Sequence, residues 1–414
     1  MNKILYTLAC VIICSFSKKE AENQKTEDKN ESYSSESGII EEIPIYSKCS
    51  NYNNNLSEVA SEITFIPLDS DPPINEDHIT SIELTDNDIF LSTSSSIMRF
   101  DKNGKYIKNI GRAGQGPQEY VNITYTLQLD RKNRLIYAND INRQRVIVYN
   151  FDGNFQKAFP LNAAGIELID SSTIALRQTL FDIQKPNCFL IRFIDINGKE
   201  IKSYKSRYYP IDGRSTEILG SVDLWPLWKN KQSIYYLESG TDTIFSIQKN
   251  SLIPSRVLIG ELKLSFEEFF RKRVGNKLRL MSPFLKPNSA IFESDTFMIF
   301  RLFNDYESFF MIYDKKKKKL HRTFHKNAVE SRSGNKQMDY FFDDMVSGLS
   351  FDPKYQSEDK AISLIPAWEI CEKKQEILDF IDKHSNHPQS KLLKSVIQKM
   401  TDDDNPLMMA VTFK

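Results

Sequence analysis

Three short segments of this chain share one turn chemistry at a nearly constant interval. FDKNGKYI, YNFDGNF and IDINGKEI place Gly104, Gly153 and Gly198 in the same slot, 49 and 45 residues apart. Asn-Gly and Asp-Gly pairs suit tight hairpins, because both central residues of such a turn need positive φ and these types tolerate it. Weaker copies occur at IQKNSL and YDKKKKKL, where Ser251 and Lys317 take the glycine slot. Those two turns are expected to be longer or wider. A chain that repeats one hairpin at this period must stack its units or close them on themselves.

Each hairpin follows two further strand-like runs. ITSIEL, DIFLST and SIMRF precede Gly104; TYTLQLD, RLIYAND and RVIVYNF precede Gly153. Apolar residues alternate with period two rather than 3.6, which argues against a helical solenoid. Four short strands per repeat mark a β-propeller blade. The span 61–366 holds six such units of about 51 residues. Blade four is read through SIYYLES and TIFSIQK, blade five through TFMIFRLF and SFFMIYD, blade six through MVSGLSF and AISLIPA. A closed ring leaves no unpaired sheet edge where its ends meet, so EITFIPL (62–68) is expected to supply the outer strand of the last blade.

The fold class is therefore all-β, a six-bladed β-propeller with four-stranded blades. Two C-terminal helices, marked by Ile377, Leu378 and Ile381 and by Leu392, Leu393, Val396, Ile397 and Met400, should pack on it. NPLMMAVTFK after them reads as one more strand, and 261–280 reads as partly helical. Residues 39–414 are expected to form a single domain.

The N-terminus reads as an export signal. Lys3 precedes the apolar run ILYTLACVIIC, and residues 18–38 are nearly devoid of apolar side chains, as in a flexible tether. Residues 1–17 are thus assigned to a signal peptide. Lipidation at Cys14, ordinary cleavage after Ser17 and an uncleaved anchor remain the alternatives, with Cys14 the lipidation candidate. The expected location is the periplasm or outer membrane, with the membrane met only through that anchor. Basic and acidic residues balance at 55 each, so no global field recruits nucleic acid. Cys49, Cys188 and Cys371 are scattered and form neither a disulfide framework nor a zinc pattern.

GRAGQGPQEY (111–120) tests for a phosphate loop and fails. Gly111 and Gly116 have the P-loop separation, but Pro117 has no amide to offer and Gln118 no charge. The stretch instead suits a connector from the rim of one blade to the axis of the next, where sharp bends are needed. Together with LQLDRKNRLIYANDINRQRVIVYNFDGNF it resembles an NHL-type repeat, and the whole chain resembles exported bacterial six-bladed propellers of the lipoprotein type. That resemblance implies a propeller and an envelope location, and no settled activity.

Motifs that carry chemistry are few. His321 and His325 lie four apart in a predicted strand without the glutamate of a zinc-protease motif, and Asp402–Asp404 lack calcium-loop spacing. No catalytic residue, metal ligand or cofactor is assigned. The lysine run 315–319 reads as a solvated hairpin tip. Arg112, Asp140 and Arg143 are candidates to line one mouth of the channel, and Trp225 and Trp228 are further candidates for ligand binding. The function expected is an exported binding or scaffold module for a protein or carbohydrate ligand. The alternative is a metal-dependent lyase or lactonase, or a sugar-acting hydrolase, with its site in the channel.

Overall fold

A computed structural model describes residues 40–46, 49–163, 165–177, 189–205, 227–237, 242–260, 279–280, 291–303, 307–323, 329–330, 337–338, 340–384 and 386–414. Six sheets follow one another along the chain. Blade 1 comprises Ile79–Leu84, Asp88–Thr93, Ile97–Asp101 and Tyr106–Asn109, paired in that order from the axis to the rim. Blade 2 (Ile123–Asp130, Leu135–Asp140, Arg145–Asn150, Phe155–Pro160) and blade 3 (Gly165–Asp170, Thr173–Arg177, Phe189–Asp195, Glu200–Lys205) repeat the pattern. Blade 4 runs Leu227–Asn230, Ser233–Leu237, Thr243–Gln248 and Ser251–Ile259. In blade 5 the inner position is shared by Arg279–Leu280 and Ile291–Glu293, both paired with Phe297–Phe303, ahead of Glu307–Asp314 and Lys319–Thr323.

Blade 6 closes the ring. Its inner strands are Tyr355–Ser357 and Lys360–Ile365, its third is Leu407–Phe413, and its outer strand is Ala60–Pro67. The last two pair antiparallel from Ala60 opposite Phe413 to Pro67 opposite Leu407. EITFIPL thus supplies the outer strand, as the edge argument requires. MVSGLSF does not join the blade: Ser350–Phe351 pairs with Phe341–Phe342 in a separate two-stranded sheet. The reason lies in Asp343, whose carboxylate accepts from the Met345, Val346 and Ser347 amides and curls this segment into a turn.

The N-terminal segment does more than close the ring. Glu41–Pro44 lies parallel to the outer strand of blade 4, and Ser50–Tyr52 parallel to that of blade 5. Three helices, not two, are inserted within blade 6: Ala367–Glu372, Lys374–Lys383 and Ser390–Lys399. Ile370, Ile377, Ile381, Leu393 and Ile397 are buried in one cluster with Phe341, Val411 and Phe413. Among the described residues no helix is long and apolar enough to cross a membrane.

Period-two alternation explains why the second and third strands are apolar on both faces. In Asp88–Thr93, Ile89 and Leu91 pack toward blade 6 with Ile362 and Met408, while Phe90 packs toward blade 2 with Ile136 and Ile147. One strand on, Ile136 and Ala138 face blade 1 and Tyr137 faces blade 3. Burying each such side chain contributes roughly 1.5–3 kcal/mol, so the blade-to-blade seams hold the ring.

The three glycine hairpins are equivalent in detail. Asp101, Asn150 and Asp195 each accept the glycine amide on their backbone carbonyl at 2.9–3.0 Å. Their side chains also accept the amide just beyond the glycine, at 2.9–3.0 Å. Only the glycines have positive φ, at +87°, +83° and +89°. The turn is therefore a type I bend followed by a left-handed glycine, not the two-residue turn expected from Asn-Gly, because the Asp or Asn side chain caps the bend. IQKNSL departs in the other direction. Gln248 pairs directly with Ser251 around Lys249, which carries φ +57°, so this turn is tighter than expected. YDKKKKKL is longer, with Asp314 paired to Lys319.

Each repeated tip also meets the outer strand of the blade before it. A β-carbon on Gly104 would overlap the Pro67 carbonyl of the closing strand, whereas one on Gly153 would lie 3.4 Å from the Asn109 carbonyl oxygen. Gly153→Ala should cost only the left-handed strain, about 1–2 kcal/mol. Gly104→Ala should cost at least about 1 kcal/mol more, since the closing strand must shift. Urea unfolding of the two variants measures the difference, and equal losses would show that the tip does not press on that strand.

Candidate functional site

Two mouths of the channel are distinguished by chain direction. The connector that leads from the outer strand of one blade to the inner strand of the next lies on one face, with the turns joining second to third strands. The turns joining first to second strands, and the glycine hairpins, lie on the other.

GRAGQGPQEY occupies the connector face, between Tyr106–Asn109 and Ile123–Asp130. Its carbonyls are gathered by blade 2. Arg143 Nη1 donates to the Gly116 carbonyl at 2.7 Å and the Glu119 carbonyl at 3.2 Å, and Arg145 Nη1 donates to the Pro117 carbonyl at 2.9 Å. Tyr149 donates its hydroxyl to the Gln118 carbonyl at 2.6 Å. Asp140, fully buried, accepts from the Val121 and Asn122 amides at 3.2 Å and from Arg145 Nε at 3.3 Å. Glu119 accepts from the Gly116 amide at 2.7 Å and from Arg112 Nε at 2.5 Å, and these two donors hold its carboxyl below the ordinary value. The structure thus brings Arg112, Asp140 and Arg143 to one connector. Asp140 and Arg143 are spent in shaping it, and Arg112 alone of the three extends into solvent.

Trp228 lies elsewhere, buried at the seam of blades 4 and 5 and stacked on Tyr235. Its indole donates to Glu293 at 2.7 Å. Trp225, Cys14 and His325 lie outside the described residues. His321 meets the Ser50 hydroxyl at 2.7 Å across the parallel N-terminal strand. The lysine run is not a uniformly solvated tip. Lys315 turns inward to Glu293 at 2.5 Å, and Lys318 pairs with Glu41 at 2.5 Å. Burial would raise the Glu293 carboxyl, but Arg256 and Lys315 outweigh it and hold it low. A buried carboxylate at a seam needs such partners, which is why Lys315 leaves the water that the rest of the run meets.

The other face holds a polar cluster that no turn motif announces. Glu83 on the inner strand of blade 1 accepts from Arg131 of blade 2 at 3.0 Å and from the Ser357 hydroxyl of blade 6 at 3.0 Å. Arg131 also donates to the Leu84 carbonyl at 2.9 Å and to Ser357 at 3.3 Å, and its Nε lies 2.9 Å from Glu358. Lys229 of blade 4 pairs with Glu167 of blade 3 at 2.7 Å, and Glu167 accepts from Gln128 of blade 2 at 3.2 Å. Gln356 of blade 6 donates to the Lys229 carbonyl at 2.8 Å.

The blade numbers locate this cluster. Blades 2 and 6 are not neighbours, nor are blades 4 and 6, and blades 1 and 4 stand opposite each other. Side chains from such blades meet only at the axis, so the channel is crossed at this level by paired charges. Glu83 and Glu167 keep 13% and 12% of their side-chain surface in contact with water, and Lys229 and Arg131 keep 29% and 30%. Burial pushes the Glu83 carboxyl up despite the pull of Arg131 and Lys229. Burial also works against the Lys229 ammonium, but Glu167 and Glu83 outweigh it and hold the group above the ordinary lysine value.

A sequence signal for this cluster exists. Glu83, Gln128 and Glu167 each stand between two aliphatic residues near the end of an inner strand, in IEL, LQL and IEL, 45 and 39 residues apart. Among the described residues no group of three or more His, Cys, Asp or Glu side chains is placed to hold a metal ion.

A carboxyl raised in the folded state adds stability while protonated. That contribution is complete below the ordinary glutamate value and is lost as pH rises through the raised one. Glu83→Gln stays neutral throughout. Its melting temperature relative to wild type should therefore rise as pH climbs upward from the ordinary glutamate range. A flat or falling difference in a thermal scan would show that the Arg131 ion pair, not burial, governs this carboxyl.

A protein from Bacteroides fragilis, named for its inferred export, superposes with a TM-score of 0.64 over 90% of this chain and 99% of its own, at 14% identity. A member of the DUF4221 family from Bacteroides vulgatus gives 0.46 over 86% and 97%, at 12% identity. Virginiamycin B lyase from Staphylococcus aureus gives 0.35 over 63% and 73%, at 11% identity. At these identities the first shares the fold alone, and the other two are too distant to carry an argument. No curated protein matches the sequence. The family model described as domain of unknown function DUF4934 matches residues 40–412, nearly the whole of the propeller, and the chain belongs to that family.

Proposed function

We propose that this chain is an exported binding or scaffold module, docking a protein or carbohydrate ligand at one mouth of the propeller channel. The observation that carries the reading is the axial cluster: charged side chains from five of the six blades meet at the axis as paired groups. Such a layer offers a floor for docking, in which Arg131 and Lys229 pair with Glu83 and Glu167. The connector face supplies a second element. Its 111–120 loop is held by two arginines and a tyrosine, so it is presented in one conformation at low entropic cost to a partner. Arg112 is the charged arm of that loop that reaches solvent.

Export is supported by the apolar run after Lys3 and by the name given to the similar Bacteroides fragilis protein. Lipidation at Cys14 would fix the module to a membrane, and the polar residues 18–38 would serve as its tether. The NHL-like pattern of 111–155 belongs with this reading as a likeness of repeat, without an activity.

The full chain, screened by thermal shift against envelope oligosaccharides and peptides, should gain stability with a binder that is recovered unchanged. Hydrogen exchange with that binder should protect 111–122 and 140–145, and Arg112→Ala should weaken it by about tenfold. Conversion of any binder to product by mass spectrometry would instead support the hydrolase or lyase alternative. Mass spectrometry of the mature N-terminus tests the anchor, since an acylated Cys14 is expected and an unmodified start at Lys18 overturns it.

A further inference from the structure

The axial cluster holds two cations, and it holds them differently. Arg131 is bound on several sides, by Glu83, the Leu84 carbonyl, Ser357 and Glu358. Lys229 makes one ion pair, to Glu167 at 2.7 Å, with Glu83 in electrostatic range across the axis. An ammonium has three N–H donors, so among the described residues two of its three are uncommitted. Gln356 holds the Lys229 backbone and leaves the side chain on its flexible stem. The charge count points the same way. Glu83, Glu167 and Glu358 face Arg131 and Lys229, three carboxylates against two cations among the described residues. An anion arriving here would meet uncompensated negative charge, and a quaternary ammonium would bring no N–H to donate.

We propose that the axial cluster is a binding site for a primary ammonium group, filled from within the chain by Lys229, and that a ligand bearing such a group takes it by displacing Lys229 from Glu167. The proposal rests on the reading of the channel as a docking place and names the chemistry that the floor recognises. Arg131 stays in place and keeps Glu83 oriented. Lys229 swings away from Glu167 on a side chain that is already 29% exposed.

Calorimetric titration of the full chain with n-butylammonium chloride tests this, with tetramethylammonium chloride at equal ionic strength as the control. Lys229→Met keeps the stem and removes the internal competitor, so butylammonium should bind it at least about tenfold more tightly than wild type. Adding Glu167→Gln to Lys229→Met should reverse that gain by about tenfold. Equal affinity in wild type and Lys229→Met, or tetramethylammonium binding as well as butylammonium, would overturn the proposal. Should Lys229→Met fail to fold, butylammonium at up to about 0.1 M should restore its strand signal in circular dichroism, and no recovery would overturn it equally. If amines fail while a ligand still protects 111–122 in hydrogen exchange, the docking function stands and only the ammonium assignment falls.

Discussion

Ring closure is the constraint on which everything else rests. Ala60–Pro67 and Leu407–Phe413 are separated by some three hundred and forty residues of chain, yet they are adjacent strands of blade 6. Without that pairing, blade 6 has two short strands and the seams on either side lose a wall. Phe65, Met409 and Val411 belong to one core with the helices of 367–399, so closure and helix docking are a single packing event. The loop that must close is long, and the entropy of closing it grows only slowly with length. Its return comes from apolar burial along the whole of two strands.

Within the closed ring, the seams and the tips divide the labour. Strand alternation places apolar side chains on both faces of each blade, which makes each seam an ordinary core. The glycine tips set the spacing between rims, since each rests against the outer strand before it. The 41–52 segment adds a parallel strand to blades 4 and 5, and its Glu41 reaches Lys318 and Arg256. Those blades lack the glycine tip and use ion pairs instead, through Lys315, Arg256 and Glu293. Buried charge at that seam is tolerable because every member is paired.

At the axis the physical logic changes. Inner strands converge, and their last residues before the turn face one another in a confined space. Polar side chains there must satisfy each other, since little water reaches Glu83 and Glu167. The result is a cluster that welds blades 1, 2, 3, 4 and 6. Within it, Lys229 is held by a single ion pair among the described residues, to Glu167.

The sequence alone determined the blade count and the closing strand, because each follows from local periodicity and turn chemistry. Gly104, Gly153 and Gly198 marked equivalent positions, and EITFIPL was identifiable as a strand in search of an edge. Its reading of the turn type failed, since the Asp and Asn side-chain caps select a type I bend that the dipeptide does not announce. The fate of Asp140 and Arg143, and of the lysine run, also needed three dimensions: whether a charge meets water, a carbonyl or a carboxylate depends on which segments the fold brings beside it. Only the tertiary structure assembled Glu83, Arg131, Glu167, Lys229 and Glu358. These residues come from separate blades, and the axis where they meet has no representation in any one stretch of chain.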